Sequence, residues 1–316
     1  MAVAPIGHDA LIARFAAALR RGALHHAWLI AGPRGVGKSL VARWLAQLAL
    51  CRTHEACGRC DACQWWEAGV HPDAQWLARQ ATRRDIVIDD VREAQRWLAL
   101  APAAGAMKVL VIDEAETMNA QAANALLKTL EEPPQGALIL LVAHDPMRLL
   151  PTVRSRCVRL EAGLLSPEAT RAVLAAAGWP EPLQEKMAAI AAGRPGIVAG
   201  LNDAEARALL TWMRLCEAPE KADIAEAHAW TRAHAGRIPS DAIAAASIAP
   251  WRERNGLDWA LAEALSRLAR WPEEARRFSL RPAASLFARW LALRRAARAC
   301  ARERSGEHRA AYGEAR

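Results

Sequence analysis

Residues 32–39 combine glycines, a lysine and a hydroxyl group in the spacing of a phosphate-binding loop. They read GPRGVGKS and fit the pattern G-x-x-x-x-G-K-[ST]. The glycines, which let backbone N–H groups wrap around a phosphate, are Gly32, Gly35 and Gly37. In such a loop Lys38 contacts the beta and gamma phosphates, and the Ser39 hydroxyl binds a magnesium ion. The sequence therefore predicts a site for ATP or ADP with Mg²⁺.

A pair of acids follows the apolar run 109–112, which reads VLVI. Asp113 is placed to hold the magnesium ion through water, and Glu114 is placed to polarise an attacking water molecule. Apolar strands that end in acids are common, but this one lies downstream of a phosphate loop. The two motifs together predict a nucleotide site in which Glu114 is a candidate catalytic residue.

Four of the seven cysteines form a C-x5-C-x2-C-x2-C cluster: Cys51, Cys57, Cys60 and Cys63. Four thiolates at this spacing can surround a zinc ion tetrahedrally. Because the protein then fills all four positions, such a site would be structural and not catalytic. An iron–sulfur cluster is the alternative, since four thiolates also suit it, and the colour of the purified protein distinguishes the two.

The elements that must position these groups follow the pattern of a parallel sheet covered by helices on both faces. Up to Leu160, short apolar runs alternate with helical stretches. The predicted strands are 27–31, 86–88, 109–112 and 138–142. Beyond Leu160 no strand is predicted, and Ser166-Pro167-Glu168 indicates the start of a helical region. The predicted fold class is an α/β P-loop domain with a zinc-binding insert, followed by helices.

Composition narrows the classes of protein. Of the 316 residues 53% are apolar, yet the longest apolar run, 137–143, is far shorter than the roughly 18 residues of a membrane span. The N-terminus lacks the basic, apolar and small-residue order of a secretion signal, so we expect a cytoplasmic protein. The net charge of +8 permits contact with nucleic-acid phosphates without locating it. The arginine-rich tail, 289–316, reads as an amphipathic helix with a solvated basic face, the alternative being a DNA-binding arm.

Two further motifs resemble a known family. Residues 124–134 read NALLKTLEEPP, and residues 155–157 read SRC. Together with a cysteine insert directly after the phosphate-loop helix, they are similar to signatures of the bacterial clamp-loader subunits of DNA polymerase III, which are AAA+ proteins. The resemblance runs from the N-terminus to about residue 200, and beyond it rests only on length and helical character.

The resemblance implies a pentameric, ATP-driven machine that opens a ring-shaped sliding clamp and closes it around primed DNA. The implied partners are the other clamp-loader subunits, the sliding clamp and, through the assembled complex, DNA. The implied domains are an AAA+ domain at 1–161 with the zinc module at 51–63, a small helical lid at 162–205, and an all-helical collar for assembly at 206–316.

Arg156, in the SRC motif, resembles the arginine finger of this family, which reaches across an interface to ATP bound by the neighbouring subunit. For an isolated arginine the alternative is a surface ion pair. The ATP-hydrolysing, gamma/tau-type subunits also carry a lid arginine in a Gly-x-x-Arg context. Here the matching stretch, 193–196, reads GRPG, so Gly196 stands at that place. This departure favours the delta-prime type, and Pro195 gives the nearby Arg194 a different backbone path.

The gamma/tau-type ATPase subunit remains the alternative. The phosphate loop and the acidic strand end, degraded in the better-known delta-prime pattern, are both intact here, so nucleotide binding is expected and hydrolysis is left open. A zinc-dependent reader of nucleic acid is disfavoured, because the cysteine cluster lacks the histidine ligands and basic helix of a zinc finger. We find no further set of carboxylates arranged for nucleotidyl transfer, so any polymerase activity would belong to the holoenzyme.

Overall fold

The computed structural model describes residues 4–80, 83–254 and 257–304. The chain divides into two compact units, Met1–Ala172 and Val173–Arg316. All strands belong to the first unit, and the second is built from helices. The predicted boundary at 161 falls within the first unit.

The first unit alternates strands with helices, as the sequence predicts. Its elements are α1 (Asp9–Arg20), β1 (Ala27–Ala31), α2 (Lys38–Leu50), α3 (Asp61–Glu67), β2 (Ala74–Leu77), α4 (Ile88–Leu98), β3 (Lys108–Ile112), α5 (Ala120–Glu131), β4 (Ala137–Ala143), α6 (Pro151–Arg154) and β5 (Val158–Glu161). A further helix, α7 (Pro167–Ala176), includes the boundary between the units.

The five strands form one parallel sheet in the order β2-β3-β4-β1-β5. Every residue of β1 and β3 is buried, which explains why these strands read as unbroken apolar runs. Alternate strand residues form an apolar core with α4 and α5, and α2 contacts β1, β3 and β4. On the α1 side, Phe15 packs edge-on against Trp28 of β1. Helices therefore cover both faces of the sheet.

The sequence analysis was wrong about one strand and missed two. Residues 86–88 do not form a strand: Ile86 makes an isolated bridge with Met118, and α4 begins at Ile88. The missed strands, β2 and β5, are the two outermost strands of the sheet. Because each has a neighbour on one side only and keeps polar, partly exposed residues, neither has the apolar run of a buried strand.

The second unit confirms the prediction of a helical C-terminal part. Its helices are α8 (Glu181–Ala191), α9 (Asp203–Glu217), α10 (Ile224–His234), α11 (Ser240–Ile248), α12 (Trp259–Phe278) and α13 (Pro282–Arg304). They share one apolar core that includes Trp212, Trp230, Trp271 and Trp290. Residues of the predicted lid, such as Met187 and Ile190, belong to the same core. The division into lid and collar therefore stays a prediction.

The arginine-rich tail begins within the helix α13, as predicted, but its basic face is not wholly solvated, because Arg294 is buried and donates to the carbonyl oxygens of Pro219 and Ala222. Its last residues, 305–316, lie outside the described residues. Among the helices that the structure describes, none combines the length and the apolarity needed to cross a membrane.

Because all five strands are parallel, the sheet has two chemically distinct edges. The carboxyl edge is where the strands end, at Ala31, Leu77, Ile112, Ala143 and Glu161. The amino edge is where they begin, at Ala27, Ala74, Lys108, Ala137 and Val158. Along the five residues of β1 the edges are about 13 Å apart, at roughly 3.3 Å per residue.

Candidate functional site

The predicted phosphate loop joins β1 to α2 at the carboxyl edge of the sheet. Its first glycine is sterically required, since a Cβ on Gly32 would lie 2.0 Å from the carbonyl oxygen of Ala162. The other two, Gly35 and Gly37, have φ angles of 87° and 95°, in the region that favours glycine. These three positions hold the loop in a tight turn whose last glycine is the N-cap of α2.

Lys38 is buried at the start of α2, with only 3% of its surface exposed. Its Nζ donates to the carbonyl oxygen of Pro33 at 2.7 Å. Burial lowers the pKa of Lys38 to about 8, although the carboxylate of Glu116 acts against this change. Within the described part of the chain the ammonium has no second hydrogen-bond acceptor. A phosphate in the loop would supply the missing acceptors and negative charge, so the loop fits the predicted ligand.

Ser39 and Asp113 meet at the same edge, as the sequence analysis expects of a magnesium site. The Ser39 hydroxyl donates to Oδ1 of Asp113 at 3.2 Å, and the backbone N–H of Glu114 donates to the same oxygen at 2.9 Å. A hydroxyl group and a carboxylate are the oxygen donors that Mg²⁺ prefers beside phosphates. These two side chains are the ones that would hold the ion.

Glu114, the candidate catalytic residue, is held by two arginines and a histidine. Arg34 of the phosphate loop donates to Oε1 at 2.8 Å, Arg79 donates to Oε2 at 3.4 Å, and Nε2 of His144 lies 3.6 Å from Oε1. The hydrogen bond with His144 and the charge of Arg34 hold the pKa of Glu114 well below its usual range. A carboxylate in this state is a weak proton acceptor. In this conformation Glu114 stabilises the loop, and it would have to leave Arg34 to act on water.

The four cysteines of the insert come together at the far end of α2. Cys51 caps that helix, Cys60 precedes α3 and Cys63 lies within it. All four sulfur atoms lie within 4.8 Å of one another, with Cys51 to Cys57 at 3.6 Å and Cys51 to Cys60 at 4.0 Å. Zinc–sulfur bonds of about 2.3 Å in a tetrahedron place sulfur atoms about 3.8 Å apart. The residues present therefore fit a zinc ion.

Arg156 lies at the amino edge, in the corner between α6 and β5. Its Nη2 is 2.6 Å from Oε1 of Glu131, and its Nη1 donates to the carbonyl oxygen of Thr152 at 2.9 Å. The side chain is 35% exposed, so it does not lie in the core. Since Trp28 of β1 pairs with Val158 of β5 in parallel register, Arg156 and the phosphate loop are at opposite edges of one sheet.

Residues 7–163, about half of the chain, match the family described as DNA polymerase III, delta subunit. This part of the chain belongs to that family. A DNA polymerase III delta-prime subunit of Pseudomonas aeruginosa is 42% identical over 176 residues, which are 54% of this chain and 53% of that protein. The tau subunit of Escherichia coli is 37% identical over 169 residues, covering 52% of this chain and 26% of that protein.

The delta-prime subunit of Escherichia coli is 39% identical over 147 residues, covering 46% of this chain and 44% of that protein. The chain thus spans about half the length of the delta-prime relatives it matches. A solved structure of a DNA polymerase III gamma subunit-related protein from Thermotoga maritima covers 91% of this chain and 99% of its own, with a TM-score of 0.51 and 18% identity. This likeness concerns the fold. It agrees with the predicted α/β P-loop fold followed by helices.

Four residues at the carboxyl edge were missed in the sequence: Arg34, Arg79, Glu116 and His144. Glu116 accepts the backbone N–H of His144 at 3.0 Å through Oε1. Oε2 of Glu116 and Nδ1 of His144 are buried without a hydrogen-bond partner in the described structure. These two atoms could therefore form hydrogen bonds with a polar ligand beside the phosphate loop. A usable signal existed for His144, which follows the predicted strand 138–142, since strand ends meet at the carboxyl edge. Arg79 follows β2, which the sequence did not predict.

Proposed function

We propose that this chain is a delta-prime-type subunit of a bacterial clamp loader, part of the DNA polymerase III holoenzyme that loads the sliding clamp on primed DNA. In this role it donates Arg156 in trans to ATP bound by a neighbouring ATPase subunit. The observation that carries the proposal is the position of Arg156, exposed at the edge opposite the phosphate loop. In a ring of similar modules, the amino edge of one can then complete the carboxyl edge of the next.

The proposed partners are the other subunits of a hetero-pentamer, the sliding clamp and, through the assembled complex, primed DNA. The subunit names of the relatives support an assembly of this kind. Within it we assign residues 162–205 to a lid, residues 206–316 to an oligomerisation collar, and the whole chain to the cytoplasm. Contact with DNA would be made to backbone phosphates without sequence preference.

The test is the ATP turnover of the reconstituted complex. Arg156→Ala should slow hydrolysis at the adjacent site by a factor of about 10³ or more, because a trans arginine stabilises the charge of the transition state. Arg154→Ala is the matched control: it removes an arginine from the same turn, where the side chain contacts only Met147 among its hydrogen-bond partners in the described structure. Turnover that survives Arg156→Ala unchanged would refute the proposal.

A second candidate is the gamma/tau-type subunit, an ATPase in its own right. The intact set of Lys38, Asp113 and Glu114 favours it, and Gly196 at the place of the lid arginine disfavours it. We propose that the chain binds nucleotide and turns it over slowly, because Glu114 is occupied by Arg34, Arg79 and His144. Rapid hydrolysis by the isolated chain, abolished by Lys38→Ala, would favour the second candidate instead.

We propose that the cysteine cluster holds structural zinc. The short sulfur–sulfur distances support a single ion over a cluster of several irons. Metal analysis should give about one zinc per chain in colourless protein, whereas visible absorption from iron would contradict the assignment.

A further inference from the structure

The proposed finger is not a free side chain, since it has a carboxylate partner that no motif reading assigns. We propose that Glu131 is a positioning residue for Arg156, holding the guanidinium in an outward, ready orientation for the phosphate of the neighbouring subunit. This inference rests on the proposed function and deepens it. Its basis is the contact of 2.6 Å between Oε1 of Glu131 and Nη2 of Arg156.

The contacts occupy only part of the guanidinium. Arg156 has five N–H donors; one on Nη1 donates to the carbonyl oxygen of Thr152, and Nη2 forms the ion pair with Glu131. Among the described residues no acceptor faces Nε or the remaining donors. The partners therefore hold the group at two points and leave donors available for a phosphate.

The partner of Arg156 is itself firmly held. Glu131 is the last residue of α5, and the preceding Leu130 is buried, with its carbonyl oxygen 3.0 Å from Nε2 of His26. One residue before Leu130, Nε2 of Gln95 donates to the hydroxyl of Thr129 at 2.6 Å. The end of α5 is thus fixed from two sides. The backbone that carries Glu131 is therefore held in place beside Arg156.

Stability does not explain this ion pair. The two side chains are 35% and 51% exposed, and solvent-exposed pairs contribute little to folding. What the pair does change is the freedom of Arg156, whose several rotatable bonds give it many orientations when it is unrestrained. A weak, exposed pair can restrict those orientations and still release donors to a more highly charged phosphate.

The experiment uses the reconstituted complex with ATP. Glu131→Ala should lower kcat about 3- to 10-fold and leave KM for ATP unchanged, because the restraint acts on the transition state at the neighbouring site. Glu131→Gln, which keeps an oxygen acceptor but not the charge, should give an intermediate loss. The matched control is Glu132→Ala, the adjacent exposed acid, for which the described chain provides no ion-pair partner; it should leave kcat unchanged.

A double-mutant cycle then separates positioning from a structural role. On an Arg156→Ala background, Glu131→Ala should cause no further loss, since Glu131 acts only through Arg156. An unchanged or raised kcat for Glu131→Ala, with Arg156→Ala still defective, overturns the inference and leaves the proposed function standing. A further loss on the Arg156→Ala background also overturns it. If Arg156→Ala itself has no effect, the proposed function fails first.

Discussion

The two edges of the five-stranded sheet present charged groups in opposite settings. At the carboxyl edge Lys38 is almost fully buried, and Glu114 is contacted by Arg34, Arg79 and His144. At the amino edge Arg156 is exposed, with one carboxylate and one carbonyl oxygen as its partners. One edge gathers buried charged groups around the phosphate loop, and the other carries a guanidinium with only two partners.

This difference has a physical cause. Burying an ammonium group without acceptors for its N–H donors raises the free energy of the folded protein. A phosphate bound at the carboxyl edge would therefore be strongly stabilising. An exposed guanidinium is already hydrated and can move at little cost. A module built in this way can accept nucleotide at one edge and contribute charge to another module's nucleotide at the other. The predictions below test whether the two edges are independent.

The largest effect is expected at the zinc module, which α2 connects to the phosphate loop. Cys63→Ser should eliminate bound zinc and lower the free energy of unfolding by more than about 4 kcal/mol, because a structural metal contributes directly to folding. Since the 13 residues of α2 separate Cys51 from the loop by about 20 Å, residual folded protein should still bind nucleotide. Metal analysis and urea denaturation measure both, with Cys216→Ala as a control that keeps its zinc.

The amino edge also contains a buried ion pair, between Asp73 and Lys108, whereas the pair of Arg156 and Glu131 is exposed to solvent. Asp73 is fully buried, accepts backbone N–H groups of Ala103, Ala104 and Gly105, and lies 3.8 Å from Nζ of Lys108. Asp73→Ala should cost about 3–5 kcal/mol of unfolding free energy, because it leaves a buried cation and three donors without their acceptor.

For comparison, the exposed pair at the same edge should matter far less to folding. Glu131→Ala should cost less than about 1 kcal/mol in the same denaturation experiment. Similar costs for Asp73→Ala and Glu131→Ala would show that burial does not distinguish the two pairs.

Nucleotide binding offers the direct test of independence. Lys38→Ala should weaken ATP binding to the isolated chain at least 100-fold, or about 2.7 kcal/mol, because Lys38 is the buried cation of the loop. Arg156→Ala should change the affinity by less than about twofold, since it lies at the other edge. Isothermal titration with ATP and Mg²⁺ measures both variants. A comparable loss with Arg156→Ala would mean that the edges are coupled within one chain.

The sequence predicts best those features that depend on residues close together in the chain. The phosphate loop, the cysteine cluster and the central strands depend on short runs of residue types, and the structure contains all three. The edge strands β2 and β5 were missed because an edge strand need not be apolar on both faces. The contact between Arg34 and Glu114 joins residues 80 positions apart, so it depends on the tertiary fold.

The amino-edge contact shows the same limit. Glu131 and Arg156 both lie in motifs that the sequence analysis quoted, yet nothing in their spacing pairs them. Their meeting depends on α5 and α6 packing against each other. Motif reading therefore identified the finger candidate and could not identify its partner.

A further prediction for the carboxyl edge, smaller than that for Lys38, concerns Glu114. Glu114→Gln should lower the free energy of unfolding by about 1–2 kcal/mol at pH 7, because it replaces the charge-assisted hydrogen bond with Arg34 by a neutral one and weakens the contact with His144. Since the pKa of Glu114 is lowered in the folded protein, its contribution is fully present above the ordinary value of 4.5 and is lost as the pH falls below that value.

The difference in the free energy of unfolding between wild type and Glu114→Gln should accordingly stay constant from pH 7 to about 5. It should become smaller at lower pH. Urea denaturation at pH 7, 5, 4 and 3.5 measures it, and Glu132→Gln, at the exposed end of α5, serves as the control. A difference that does not narrow in acid would mean that the charge of Glu114 is not what holds Arg34. The phosphate loop would then owe its shape to its glycines alone, and Glu114 would be available to act on water.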